Sequence, residues 1–196
     1  DEAREAVNEA INLDPRNPQL RLLSAKIFEA EDQHDQALRE RLGVFDQYFD
    51  QGNLTSARSL LSSWLQEGSA PCIEFLSRKV ELARREEDHA ELAEALASLA
   101  AHYESNQRLD DAATALDEAS RLNASDTALL EHLAELREQT QDRNLLDDVL
   151  ERLAALYAKQ KQNLSLQKVL SRRIELAPAA LGLRDALAQS LAADAQ

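Results

Sequence analysis

Leu99-Ala-Ala-His-Tyr-Glu-Ser-Asn-Gln-Arg-Leu-Asp-Asp-Ala-Ala-Thr-Ala-Leu-Asp-Glu-Ala-Ser-Arg-Leu-Asn-Ala124 is the stretch whose spacing decides the fold. Ala100 is followed by Tyr103, and then by Ala112, Leu116, Ala119 and Ala124. The same spacing returns as Phe45, Tyr48, Ala57, Leu61, Trp64 and Ser69, and again as Ala154, Tyr157, Leu166, Leu170, Arg173 and Pro178. Nearer the start it runs Ala25, Phe28, Ala37, Arg41 and Val44, and its second half alone runs Ala3, Val7, Ala10 and Pro15. Packing explains such spacing. A small residue lets two helices approach closely, an aromatic one turn later fills the space beyond the contact, and a second small residue lies on the partner helix.

Apolar residues fall at helical spacing along almost the whole chain, and no segment alternates as a half-buried strand would. Breaker residues are evenly placed at Pro15–Pro18, Glu31–Asp35, Gln51–Asn53, Gly68–Pro71, Glu87–His89, Ser105–Gln107, Asn123–Asp126, Gln139–Arg143, Lys159–Asn163 and Ala177–Pro178. They divide the chain into eleven helices, each with its turn taking about 18 residues. Short turns between helices of this length pack neighbours antiparallel. Asp126 is expected to cap the helix after it, because its carboxylate can accept from free backbone N–H groups. Pro18 and Pro71 suit a first helical turn, and Gly52 and Gly68 suit left-handed positions just past helix ends.

This pattern resembles the tetratricopeptide repeat family, a helix–turn–helix of about 34 residues. The resemblance spans most of the chain in degenerate form. The Trp and Leu-Gly of the family pattern are largely missing, Leu99-Ala100 is their best remnant, and Cys72–Leu92 matches poorly. It implies an all-α, right-handed α-solenoid of about eleven antiparallel helices, elongated and curved. The pair phase is open. Tyr48, Tyr103 and Tyr157 lie 55 and 54 residues apart, about three helices, while Phe28 and Tyr48 are only 20 apart. A three-helix repeat is therefore the competing description.

Composition excludes several classes. The 196 residues carry a formal charge of −14, with one Cys, no Met, four Gly and four Pro, and Ala with Leu make up about a third. One cysteine forms no internal disulfide or thiolate metal site, and so acidic a chain is a poor nucleic-acid binder. No apolar run is long enough to span a bilayer, and 44% hydrophobic residues suffice for a core. The absence of Met, a start in a helix of second type and an apolar last helix (Leu181, Leu183, Leu187, Leu191) lead us to expect an internal fragment of a longer array, forming one segment over residues 1–196.

No catalytic or cofactor-binding constellation stands out, so the expectation is a non-enzyme without metal or cofactor. The histidines at 34, 89, 102 and 132 lack a second His or Cys at helical ligand spacing. Cys72, at a helix start, could have its thiol activated by the helix dipole, although nothing supplies a base and a structural cysteine is the simpler expectation. Asn53, Asn123 and Asn163 each head an Asn-x-Ser/Thr triplet, in turns that favour Asn in any case.

Charge is uneven. Eleven acidic residues and two basic ones lie between Glu86 and Asp126, whereas Lys159, Lys161, Lys168, Arg172 and Arg173 stand together without an acid. If first helices line a concave groove as the resemblance implies, Glu94 and Glu104 on one helix and Glu131, His132, Glu135 and Glu138 on the next give an acidic partner-binding face. Such a face prefers a basic or neutral protein segment. The Lys, Arg and Asn with which some family members hold acidic tails are missing apart from Lys26. The expected function is a protein-interaction scaffold. A structural spacer and a cytoplasmic regulatory adaptor are the alternatives. The Ala/Leu/Gln/Asp-rich style is similar to repeat scaffolds of bacterial exopolysaccharide export (alginate, Pel and cellulose secretion), for which the periplasm is preferred to the cytoplasm.

Overall fold

The computed structural model describes residues 2–66 and 72–194. The expectations placed on Gly68, Ser69 and Pro71 lie outside the described residues. Eleven helices are formed, α1 (Glu2–Leu13), α2 (Pro18–Ala30), α3 (His34–Asp50), α4 (Leu54–Gln66), α5 (Ile73–Arg85), α6 (His89–Ser105), α7 (Leu109–Leu122), α8 (Thr127–Gln139), α9 (Arg143–Lys159), α10 (Asn163–Leu176) and α11 (Leu181–Asp194), with no strand among the described residues. The breaker stretches outside 67–71 all fall at helix junctions, where some overlap the helix ends by a residue or two. Asp126 caps α8, accepting from the N–H groups of Ala128 and Leu129 at 3.0 and 3.3 Å. Pro18 opens α2 behind an Asn17 cap.

The repeating unit is three helices long. The helices α2, α5, α8 and α11 begin at Pro18, Ile73, Thr127 and Leu181, spacings of 55, 54 and 54 residues. Within each period the helices have 13, then 17, then 13 or 14 residues. The turns obey the same period. After the first and second helix of every period comes a three-residue turn whose middle residue is left-handed: Asp32, Gly52, Glu87, Gln107, Gln141 and Lys161, with φ between 57° and 72°. In five of these turns the third residue donates its N–H to the carbonyl five positions back, as Gln33 to Phe28, Asn53 to Tyr48, Arg108 to Tyr103, Asp142 to Arg137 and Gln162 to Tyr157. This is the Schellman closure, which satisfies helix-end carbonyls. The remaining described turns, before α2, α8 and α11, are built differently, on Asp14–Asn17, Asn123–Asp126 and Ala177–Ala180. The local geometry is the helix–turn–helix of tetratricopeptide-like arrays, and the competing three-helix description is the one the structure takes.

Only one of the six left-handed turn residues is glycine, and Gly52 has open space around its Cα. A side chain in this conformation costs about 1 kcal/mol or more, and glycine adds back up to about 1 kcal/mol of unfolded-state entropy. Gln107→Gly is therefore expected to stabilise the chain by a few tenths of a kcal/mol to about 1 kcal/mol, read as a rise in the denaturant midpoint at unchanged slope. A fall in the midpoint would contradict the turn geometry.

The helices fall into two compact units, Asp1–Glu86 and Glu87–Gln196. In the first, consecutive helices pack from α1 to α5, and α3 also meets α5. Its core holds Ala25, Ala37, Val44, Phe45, Ala57, Leu61 and Trp64, all of them residues of the repeated spacing. In the second unit consecutive helices pack from α6 to α11. Ala100, Ala112, Leu116 and Ala119 are buried there, as are Ala154, Tyr157 and Leu170. Each unit also has a tie between its alternate helices. Arg78 on α5 reaches Asp46 on α3 at 3.1 Å, and His132 on α8 reaches Glu104 on α6 at 3.0 Å. Arg78 and His132 occupy the same place in their periods.

Candidate interaction surface

Helix α8 buries Leu130, Leu133 and Leu136 on one side. The helical period then turns Glu131 and Glu135 outward, one turn apart, with Glu138 alongside. All three are exposed, but two also bind within the fold. The Tyr157 hydroxyl of α9 donates to Glu131, and Arg172 of α10 donates to Glu138 at 2.8 Å. Glu135 has no polar partner among the described residues. The structure brings Glu104 to His132, and Glu94 lies on the exposed side of α6. Because the period is three helices, α6 is the second helix of its period and not the first of a pair. Within the expected acidic face, Glu135 is the carboxylate most fully available to a partner.

Two equivalent clefts lie among the three helices of a period. In the first period Gln19, Leu20, Leu22, Leu23 and Lys26 of α2 face Arg41 of α3 and Leu60, Ser63 and Trp64 of α4, around a cavity of about 540 Å³. In the third, Glu131, Ala134 and Glu135 of α8 face Leu153 and Tyr157 of α9 and Ser165, Lys168 and Val169 of α10, around about 320 Å³. Residues at matching places differ in kind: Leu22 becomes Glu131, and Lys26 becomes Glu135. The first cleft is apolar with two cations and no acid, and its Arg41 is held by Glu29 at 2.7 Å over the Trp64 ring. In the sequence Arg41 and Trp64 stand out only as members of the repeated spacing. Laying the chain out at 54–55 residues is the signal that separates them, since their counterparts are Leu96 and Leu150, and Ala119 and Arg173.

Burial, with the Glu131 carboxylate beside it, pushes the Tyr157 phenol up from its ordinary 10 to about 12. The neutral phenol is the form the fold prefers. Its contribution is complete below about pH 10 and is lost as pH rises through 12. Tyr157→Phe should cost about 1 kcal/mol at neutral pH and flatten the alkaline limb of the stability curve. Thermal melts of both proteins across that limb check this, and parallel curves would count against it.

Burial also pushes the Cys72 thiol up, the opposite of the activation a nucleophile needs. Asn53 accepts from the N–H of Ser56 at 3.2 Å and Asn123 lies in the turn before α8, so both hold turn positions. Among the described residues no three His, Cys, Asp or Glu side chains are grouped to hold a metal ion. No described helix is long and apolar enough to cross a membrane.

No family model matches the chain, and no curated protein matches it. Solved structures do. The nearly identical tetratricopeptide-like repeats of a putative kinesin light chain of Podospora anserina are 17% identical, with 99% of this chain and 94% of that one covered and a TM-score of 0.46. BtubC of P. vanneervenii is 14% identical over 98% of this chain and 88% of that one, with a TM-score of 0.40. PilF of Pseudomonas aeruginosa is 13% identical over 93% and 86%, with a TM-score of 0.36. The likeness is one of helical-repeat architecture alone.

Proposed function

We propose that this chain is a non-catalytic scaffold that recruits a protein partner through the clefts of its helical periods. One observation carries the proposal. The clefts of the first and third periods are built by the corresponding three helices on matching buried positions, such as Val44 with Leu153 and Leu61 with Leu170, while the charged residues lining them change from two cations to two glutamates with one lysine. A fixed frame that varies only its lining is what a recognition surface needs. The acidic third-period cleft favours a basic or neutral segment, with Glu135 as the principal contact and Glu131 shared with Tyr157. The compositional style supports a bacterial envelope setting and a role in exopolysaccharide secretion.

Affinity capture with the whole chain tests the proposal. Wild-type protein should retain a partner that Glu135→Lys releases, with helicity unchanged. Glu135 is the chosen position because changing Glu131 or Glu138 would also break the bonds to Tyr157 or Arg172. A spacer would retain no partner, and equal retention by wild type and variant would remove the cleft from the account.

A further inference from the structure

The turn between α8 and α9 departs from its counterparts. At matching places the first period has Phe28, Glu31, Asp32 and His34, and the second has Ala83, Glu86, Glu87 and His89. The third has Arg137, Thr140, Gln141 and Arg143. Two acids have gone and two guanidinium groups have arrived, in a chain of formal charge −14. Arg137 takes a place that is apolar in the other periods and is only 9% exposed. Its guanidinium has no hydrogen-bond or ion-pair partner among the described residues, and it lines a cavity of about 330 Å³ with Gln141, Arg143, Arg172, Glu138, Glu175, Leu146 and Leu176. The two glutamates there are engaged by Arg172, at 2.8 Å to Glu138 and 2.6 Å to Glu175. Arg137 and Arg143 remain.

We propose that this cavity binds a single carboxylate with an apolar neighbour, presented by a protein partner as a chain terminus or an acidic side chain. Arg137 is held with its guanidinium free of any anion beside this cavity, and an entering carboxylate supplies one through a planar two-point bond. Three arginines against two glutamates leave one surplus positive charge, which suits a monoanion and disfavours a phosphate dianion or a polyanion. Leu146 and Leu176 supply the apolar wall. The site lies at helix ends; it includes Glu138 from the acidic side of α8 but shares no lining residue with the cleft around Glu135, and stands or falls independently of that cleft.

Titration of the isotope-labelled full chain at neutral pH, followed at the arginine side-chain N–H and backbone amide resonances, tests the proposal. N-acetyl-leucine probes a terminal carboxylate, N-acetyl-glutamyl-leucine amide probes a side-chain carboxylate, and N-acetyl-leucine amide is the uncharged control. Saturable shifts at Arg137, Arg143 and Leu146 are expected with one or both carboxylates and not with the control, and the tighter of the two identifies the source. Gln141→Glu restores the acid of the other periods on the exposed turn, and should weaken binding roughly tenfold or more. Arg137→Ala, which copies Ala83 of the second period, should abolish binding with the melting temperature retained or raised. Absence of saturable shifts, an unchanged response in Gln141→Glu, or tighter binding of inorganic phosphate than of either carboxylate would overturn the proposal.

Discussion

Leu133→Ala is expected to destabilise the unit formed by α6 to α11 by about 3 kcal/mol. Leu133 is fully buried, at 0% exposure, on α8, a helix that packs against both α7 and α9. Truncation removes the transfer free energy of the side chain and leaves a cavity that helices held from both sides cannot readily close. Denaturant unfolding reads the effect directly, as a shifted midpoint at unchanged slope. A loss below about 1 kcal/mol would mean that the neighbouring helices collapse onto the gap, and that the packing is looser than described.

Ala112→Leu is expected to cost about 2 to 3 kcal/mol, from the opposite cause. Matching places in the three periods pair Phe45 with Ala57, Ala100 with Ala112, and Ala154 with Leu166. Only the middle period is small on both helices, and α6 and α7 make the most extensive helix–helix contact among the described residues. Ala100 and Ala112 are both at 0% exposure. Two alanines permit the close approach, and a leucine at Ala112 would wedge the helices apart or force strained rotamers. A near-neutral effect would show that the approach does not depend on small side chains. A thermal melt followed by circular dichroism distinguishes the outcomes.

Much of the fold was legible because helix punctuation is local. The turn around Asp32, Gln107, Gln141 and Lys161 is written in polar residues between apolar stripes, and Asp126 caps as its position predicts. The phase was not legible, for a physical reason. The aromatic of the repeated spacing occurs on α2, α3, α6 and α9, which include first and second helices of the period. It accompanies the Schellman turn, whose back-bonded carbonyl belongs to Phe28, Tyr48, Tyr103 or Tyr157, and does not mark a place in a pair. The 55- and 54-residue spacing of the three tyrosines was the better guide.

The candidate surface was legible only in part. Helical spacing put Glu131, Glu135 and Glu138 on the exposed side of α8. Their partners are remote in sequence: Tyr157 lies 26 residues from Glu131, Arg172 lies 34 from Glu138, and Glu104 lies 28 from His132. No local pattern reports such pairings. Arg137 looks from the sequence like an ordinary cation in a last helical turn, where the dipole favours one. Only its burial beside a cavity distinguishes it.

The central claim is that three helices, and not two, form the repeating unit. Removing residues 127–180 deletes one 54-residue period and joins Asp126 directly to α11, where Asp126 replaces Ala180 as the cap. Removing residues 127–162 deletes α8 and α9, a two-helix unit. Circular dichroism with denaturant unfolding of both deletions decides the matter. The three-helix account predicts that the first keeps its helicity per residue and a cooperative transition, whereas the second, which sets α10 directly after α7, loses both. Retention of a cooperative fold by the two-helix deletion and its loss in the three-helix deletion would contradict the account.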